Sequence, residues 1–265
     1  LFIGDVVGNP GMTGLKEYLP DFIQKYDSNF VVVNGENVTN GKGLTESEAE
    51  VIFGLGAKFI TTGNHIWENW KSRPLLANNS KVLRPLNYPA GNPGLGFGFH
   101  DMENGTKVAV LQLQGRTFMQ SIDCPFRMAE FAMKKIEQET NNVIVDFHAD
   151  ATAEKIAMGW HLDGRVSAVI GTHTHVPTND ANILPNGTAY MTDVGMTGPY
   201  DSVVGLRKDI ALKRFTLQTA HKYEMAQGDV RISGVFVRID SMTGQAMEIE
   251  PFTYPEFTRN VSLKN

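Results

Sequence analysis

The chain holds a single cysteine, Cys124. One thiol excludes an intrachain disulfide and any thiolate-rich metal site, and Cys124 is expected to be buried and inert. No apolar run approaches the roughly 18 residues of a membrane-spanning helix, so no membrane partner is expected. No basic segment opens the chain: Leu1-Phe2-Ile3-Gly4-Asp5 reaches a carboxylate at once, which does not read as a secretory signal. The initiator Met is missing too, so a few residues are expected to have been trimmed. With the lone cysteine, this points to a cytoplasmic protein. Positive charge is not in excess either. The net charge of −5 argues against a broad surface for long nucleic acid but leaves room for a small phosphorylated ligand. Internal repeats, low-complexity tracts and linker-like stretches are also lacking.

What remains is an ordinary globular composition, 42% apolar and 20% charged over 265 residues, which excludes disorder, collagen and coiled coil as the main state. A chain of this length buries roughly 70–75% of its unfolded surface without disulfide staples. The expectation is one domain over residues 1–265.

Its rhythm is a short apolar run, a polar turn, then a helical pattern. The early runs are Leu1–Gly4, Phe30–Val33 and Lys58–Thr61, followed by strands at Lys107–Leu113, Val143–Phe147 and Val166–Ile170. Helical patterns cover about Thr13–Tyr26, Thr45–Phe53, parts of Trp67–Ala77, Pro125–Glu139 and Thr152–Trp160. Pro20 predicts a later start or a kink in the first of these. Thr45 and Glu48 form a capping-box signature, and Pro125 suits a first helical turn. From Asn182 onward the pattern turns to hairpins around Pro185-Asn186-Gly187 and Thr243-Gly244. Residues 87–106 read as irregular, and 195–230 as a long excursion from the sheet. The fold class is α/β with a mixed sheet.

Five apolar runs end alike. They lead into Gly4-Asp5, Asn34-Gly35-Glu36-Asn37, Gly63-Asn64-His65, His148 and Gly171-Thr172-His173-Thr174-His175. Ligands of open α/β sheets bind at the carboxyl ends of strands, so these residues should converge on one sheet edge. With the carboxamides of Asn37 and Asn64, the set offers two carboxylates and four imidazoles, a donor mixture suited to first-row transition ions rather than Mg or Ca. His173 and His175 are two apart, which in an extended segment puts both on one face. The donors are too many for one ion and suit a pair about 3.5–4 Å apart bridged by a carboxylate. Taken singly, Asp5 reads as a turn residue or cap and His148 equally as structural or functional; the constellation as a whole reads as a metal site. His100, His161 and His221 lie outside it. Gly8, Gly11 and Gly14 lack the spacing of a dinucleotide fingerprint. Arg116 suits either a phosphate contact or a surface salt bridge, and Tyr200, Asp201 and Ser202 either a pocket wall or a subunit contact.

Gly63-Asn64-His65 and Gly171-Thr172-His173-Thr174-His175 resemble the Gly-Asn-His and Gly-x-His-x-His motifs of calcineurin-like metallophosphoesterases. Further segments match the YmdB-type branch of that superfamily: Gly4-Asp5-Val6-Val7-Gly8, Asn34-Gly35-Glu36-Asn37, Gly63-Asn64-His65-Ile66-Trp67, Asp146-Phe147-His148-Ala149 and Thr192-Asp193-Val194-Gly195-Met196-Thr197-Gly198. The resemblance runs from Gly4 to about Pro251. It implies a four-layer αββα sandwich and two metal ions, iron or manganese. Asp5, Glu36, Asn37 and His175 would hold the first ion; Glu36 would bridge to the second, held with Asn64, His148 and His173. Val7 stands where the superfamily usually has a His, and Glu36 where it usually has an Asp; both are features of the YmdB-type branch. His65 is implied as general acid toward the leaving oxygen, the alternative being a hydrogen bond to a carboxylate. The implied activity is a phosphodiesterase acting on cyclic nucleotides, notably 2′,3′-cyclic ones, through a metal-bridging hydroxide. Two rivals stand beside it: a phosphomonoesterase or nucleotidase with the same site, and a metal-dependent nucleotide-binding regulator without turnover. The partner expected is a small phosphorylated nucleotide, and a homo-oligomer stays open.

Overall fold

The computed structural model describes residues 1–257. In chain order the first half carries β1 (Phe2–Ile3), β2 (Asp5–Val6), α1 (Gly8–Lys25), β3 (Val32–Asn34), α2 (Glu46–Gly54), β4 (Phe59–Thr61), a 3-10 turn (Asn64–Glu68), α3 (Ser72–Asn78), β5 (Phe97–Asp101) and β6 (Lys107–Gln114). The second half carries α4 (Pro125–Ile136), β7 (Val143–His148), α5 (Thr152–Leu162), β8 (Ala168–Thr172), β9 (Asn182–Ile183), β10 (Ala189–Met191), β11 (Met196–Pro199), α6 (Lys208–Leu217), β12 (Val230–Ile239) and β13 (Ala246–Tyr254). One mixed sheet runs β2-β11-β12-β1-β3-β4, with β13 also paired to β12. The other runs β5-β6-β7-β8-β10-β9. Its middle, β6-β7-β8-β10, is parallel, and its edges β5 and β9 are antiparallel.

Alternation along the strands builds the layers, because successive side chains face opposite ways. Ile3, Val33 and Ile60 join Leu15, Leu19 and Ile52 from α1 and α2 in one core. Their neighbours Phe2, Val32 and Phe59 join Val108, Val110 and Ile170 between the sheets. Ala109, Leu111, Val145, Phe147 and Val169 join Ala132, Met133 and Met158 from α4 and α5 in a third core. Helix, sheet, sheet, helix is therefore the order of layers, the αββα sandwich expected.

Several elements differ from their expected form. Helix α1 begins at Gly8 and runs through Pro20 to Lys25. Pro20 is exposed, so the carbonyl it strips of a partner faces water and the turn survives. Within the stretch expected to be irregular, β5 pairs with β6; Gly98 permits it, since a Cβ there would stand 2.8 Å from the Phe59 ring. The stretch expected to leave the sheet returns to it as β11, between β2 and β12, before carrying α6. Cys124 is half-buried, not buried, and stands at the N-cap of α4. The capping box of Thr45 and Glu48 is present as expected. No described helix is long and apolar enough to cross a membrane.

Candidate metal centre

The strand ends deliver the expected residues to one edge of the sandwich. Glu36 and Asn37 follow β3, Asn64 and His65 follow β4, His148 ends β7, and His173 and His175 follow β8. Asp5 opens β2, which pairs in parallel with β11. Gly4, just before it, lets two chains cross: a Cβ there would stand 2.1 Å from the Gly195 carbonyl oxygen. Asp5, Glu36 and His148 are fully buried.

One group of donors surrounds the Nε2 atom of His148. Glu36 Oε1 lies 3.0 Å from it, Asn64 Oδ1 3.1 Å and His173 Nδ1 3.0 Å. A ring nitrogen makes one hydrogen bond, so three polar neighbours at this range cannot all be hydrogen-bond partners. Donors that share one ion approach one another this closely without bonding to each other, and Glu36, Asn64, His148 and His173 would be placed to do so. Gly63 leaves the space open: a Cβ there would come within 2.3 Å of His148 Nε2 and 2.5 Å of Glu36 Oε2. Glu36, His148 and His173 together could hold a metal ion.

The other nitrogen of His148 explains its ring orientation. Thr172 Oγ1 lies 2.8 Å from Nδ1 and donates to Asp146 Oδ1 at 2.7 Å. Asn34 Nδ2 donates to the second oxygen of Asp146 at 3.0 Å. With its proton committed to Asp146, the Thr172 hydroxyl accepts from Nδ1–H, and the lone pair of His148 Nε2 points into the donor cluster. Burial opposes charge on His148, yet Glu36 and Asp5 still push its pKa up to about 9. The field at this point favours a cation. Burial and the His148 charge push His173 down to about 3, which keeps that ring neutral and its lone pair free.

Asp5, Asn37 and His175 form a second group, joined to the first through Glu36. Asn37 Nδ2 lies 3.1 Å from Glu36 Oε1 and 3.2 Å from His175 Nε2; a half-turn of its amide presents the oxygen instead. Asp5 Oδ1 lies 4.0 Å from His175 Nε2 and 3.9 Å from His148 Nδ1. This oxygen is buried without a hydrogen-bond partner, an expensive state for a carboxylate unless a cation meets it. Burial raises the Asp5 pKa, against the pull of His175 and His148. His175 Nδ1 lies 3.0 Å from the Val204 carbonyl oxygen, to which it donates, so Nε2 again carries the lone pair. Val7, at the position where a His is usual, is buried against Gly198 and Gly205. The seven residues expected as ligands lie in these two adjoining groups, and their donor chemistry suits transition ions.

The extended geometry expected for His173 and His175 is not what joins them. Both have positive φ, 103° and 65°, conformations that cost a non-glycine residue about 1–3 kcal/mol each. The backbone bends at His173 and Thr174, and each ring enters a different group.

His65 stands on the 3-10 turn, partly exposed. Its backbone N–H donates to Glu36 Oε2 at 3.0 Å, and its Nδ1 lies 2.5 Å from Glu68 Oε1. The ring is thereby oriented while Nε2 keeps its capacity for another partner. Sequence reasoning missed Glu68, although its position three residues after His65 places it on the same side of a helical turn. It also missed Asp146, a carboxylate two residues before His148 inside an apolar strand. Arg116 enters no ion pair among the described residues; its N–H and that of Thr117 donate to Glu154. Tyr200 bonds the Met196 carbonyl and Asp201 pairs with Lys208, so Val204 is what this segment brings to the site. His100 packs on Phe30, and His161 pairs with Glu130.

A family model for YmdB-like proteins matches residues 1–252. A Bacillus subtilis (strain 168) protein named 2′,3′-cyclic-nucleotide 2′-phosphodiesterase is 46% identical over 250 residues, covering 94% of each chain. A crystal structure of a Thermus thermophilus protein superposes with a TM-score of 0.89 at 40% identity, covering 96% of this chain and 97% of that one. A Mycoplasma pneumoniae structure described as a novel phosphatase gives 0.90 at 33% identity, covering 95% and 91%. The motifs, the sandwich and the clustered donors thus have one common explanation: the chain belongs to the YmdB-like protein family.

Proposed function

We propose that the chain is a metal-dependent phosphodiesterase holding two transition ions, iron or manganese, and acting on cyclic nucleotides, first of all 2′,3′-cyclic ones. The observation that carries this reading is the pair of donor groups sharing Glu36. Asn64, His148 and His173 would hold one ion with Glu36; Asp5, Asn37 and His175 would hold the other. When bound, such a pair supplies Lewis acidity toward the phosphoryl oxygens and a more acidic water at neutral pH.

The protein's own residues account for the rest. His65, fixed by Glu68 at Nδ1, delivers a proton from Nε2 to the ribose oxygen as its bond to phosphorus breaks. Water supplies the hydroxyl that phosphorus gains, and its remaining proton restores the one His65 gave up, so the product is a phosphate monoester. The bond from the His65 N–H to Glu36 ties the position of this acid to the carboxylate shared by both groups, a fixed relation that favours a near-attack geometry.

The charge around the site favours a diester. Two nearby lysines are already matched: Lys155 by Asp193 and Lys42 by Glu68. A monoester dianion would draw more from a free Lys or Arg than a singly charged diester does. The activity for which the Bacillus subtilis relative is named supports the cyclic-nucleotide class. The test compares 2′,3′-cyclic nucleotides with the matching nucleoside monophosphates, with Mn²⁺ or Fe²⁺ supplied. A higher kcat/KM for the cyclic diesters is expected. Equal or faster release of inorganic phosphate from the monoesters overturns the diesterase reading and favours the nucleotidase one.

A further inference from the structure

The His173–His175 turn rests on a buried ion pair that is not among the candidate ligands. Lys155 of α5 and Asp193 are both nearly inaccessible to solvent, and Lys155 Nζ donates to Asp193 Oδ2 at 2.6 Å. The same oxygen accepts the backbone N–H of Thr174 at 3.0 Å. The other oxygen, Oδ1, accepts the N–H of Gly195 at 2.8 Å.

Each of these bonds ends at something the site requires. Thr174 is the residue between the two histidines, both at positive φ. The N–H of His173 donates to Asp5 Oδ2 at 3.1 Å, so two successive N–H groups of this turn are held by two different carboxylates. Gly195, at φ 77°, is the residue whose carbonyl packs on Gly4 immediately before Asp5. It also leads into β11, where Met196 is the register partner of Asp5. One carboxylate therefore holds the histidine turn from one sheet and, through Gly195, the Asp5 segment of the other. A buried ion pair is weak evidence for stability, since apolar replacements of both partners are often neutral. A bond made to the amide between two would-be ligands has a more specific consequence. It fixes the backbone that sends His173 to one group and His175 to the other.

We propose that Asp193, neutralised by Lys155, is a positioning residue that holds His173 and His175 in their metal-binding arrangement and is dispensable for the fold. The inference rests on the two-metal reading above, and the experiment separates the two. Wild type, Lys155→Met and the double variant Lys155→Met/Asp193→Ala are stripped with chelator. Their thermal melting is recorded metal-free, and Mn²⁺ is then titrated into each by calorimetry. The double variant leaves neither a buried unpaired charge nor a carboxylate on Thr174. It is expected to melt as a folded protein and to bind Mn²⁺ about 10–100-fold more weakly than wild type, the range for losing a group that orients a metal ligand. Lys155→Met alone keeps the carboxylate on Thr174 and should stay closer to wild type in affinity than to the double variant. Wild-type affinity in the double variant overturns the inference. So does failure of the double variant to fold, or an equal loss in Lys155→Met. Absence of Mn²⁺ binding by wild type would instead sink the metal reading itself.

Discussion

His65 Nδ1 and Glu68 Oε1 stand 2.5 Å apart across one turn of 3-10 helix. The carboxylate holds the ring from behind, and the backbone N–H of His65 is tied to Glu36. Neither bond uses Nε2.

This relation separates chemistry from metal binding. His65→Ala should keep two equivalents of metal and lose kcat by roughly 10²–10⁴, the range for removing a general acid. Glu68→Gln retains an acceptor without its charge and should lose less. Elemental analysis alongside steady-state rates checks both. A His65→Ala protein that arrives with one metal fewer would make His65 a ligand.

That the seven residues proposed as ligands and His65 meet at one edge was legible in the sequence, because parallel strands bring their carboxyl ends there. An Asp, Asn, Glu or His at the end of an apolar run thus already carries a position. Asp193 and Lys155 carried no such mark: their meeting depends on how α5 lies over β8, and on a turn at Gly195 that no periodicity encodes. The left-handed backbone at His173 and His175 was hidden for a similar reason. Local preference favours an extended path there, and bonds from Asp5 and Asp193 override it. Strand β5 escaped because Gly94, Gly96 and Gly98 mask its alternation, though Phe97 and Phe99 keep it. Pro20 misled in the other direction, since a proline on the wet face of α1 does not end the helix.

Thr172 is the next place to test. Its hydroxyl joins His148 Nδ1 to Asp146, and burial already pushes Asp146 up to about 7. Thr172→Val keeps the shape and removes the join, leaving His148 and Asp146 each short of a partner. Metal affinity should fall about 10–100-fold, and stability by about 1–3 kcal/mol. Thr172→Ser should restore most of both, as read by Mn²⁺ titration and thermal melting. A valine variant with wild-type affinity would show that ring orientation does not depend on this hydroxyl.

Metal should also act on the fold. Asp5 and Glu36 are fully buried in one site, and Asp5 Oδ1 has no hydrogen-bond partner. Removing the cation leaves their mutual repulsion opposed only by the neighbouring histidines. Ligand binding to the native state alone adds about 2.7 kcal/mol when free metal is 100 times Kd. At about 2–4 °C per kcal/mol for a chain of this size, chelation should lower Tm by about 5–10 °C. Scanning calorimetry with chelator, and again after Mn²⁺ is restored, measures the shift. An unchanged Tm would argue against tight binding at these carboxylates.

Gly63 offers the sharpest steric probe. Its φ of −160° lies outside the left-handed region that favours glycine, so the main consequence of Gly63→Ala is the added methyl itself. That methyl has nowhere to go. It would come within 2.3 Å of His148 Nε2 and 2.5 Å of Glu36 Oε2. The flexible partner is the Glu36 side chain, because the His148 ring is held at Nδ1 by Thr172. Glu36 should therefore be displaced and the group around His148 lose its shared carboxylate. The variant is expected to fold, to retain about one metal equivalent rather than two, and to lose kcat by about 10²-fold or more, as when a preorganised electrostatic stabiliser is removed. Metal content and circular dichroism on the same preparation decide it. A folded Gly63→Ala protein with two metals and near wild-type turnover would mean that the donors around His148 do not close on an ion in the arrangement proposed.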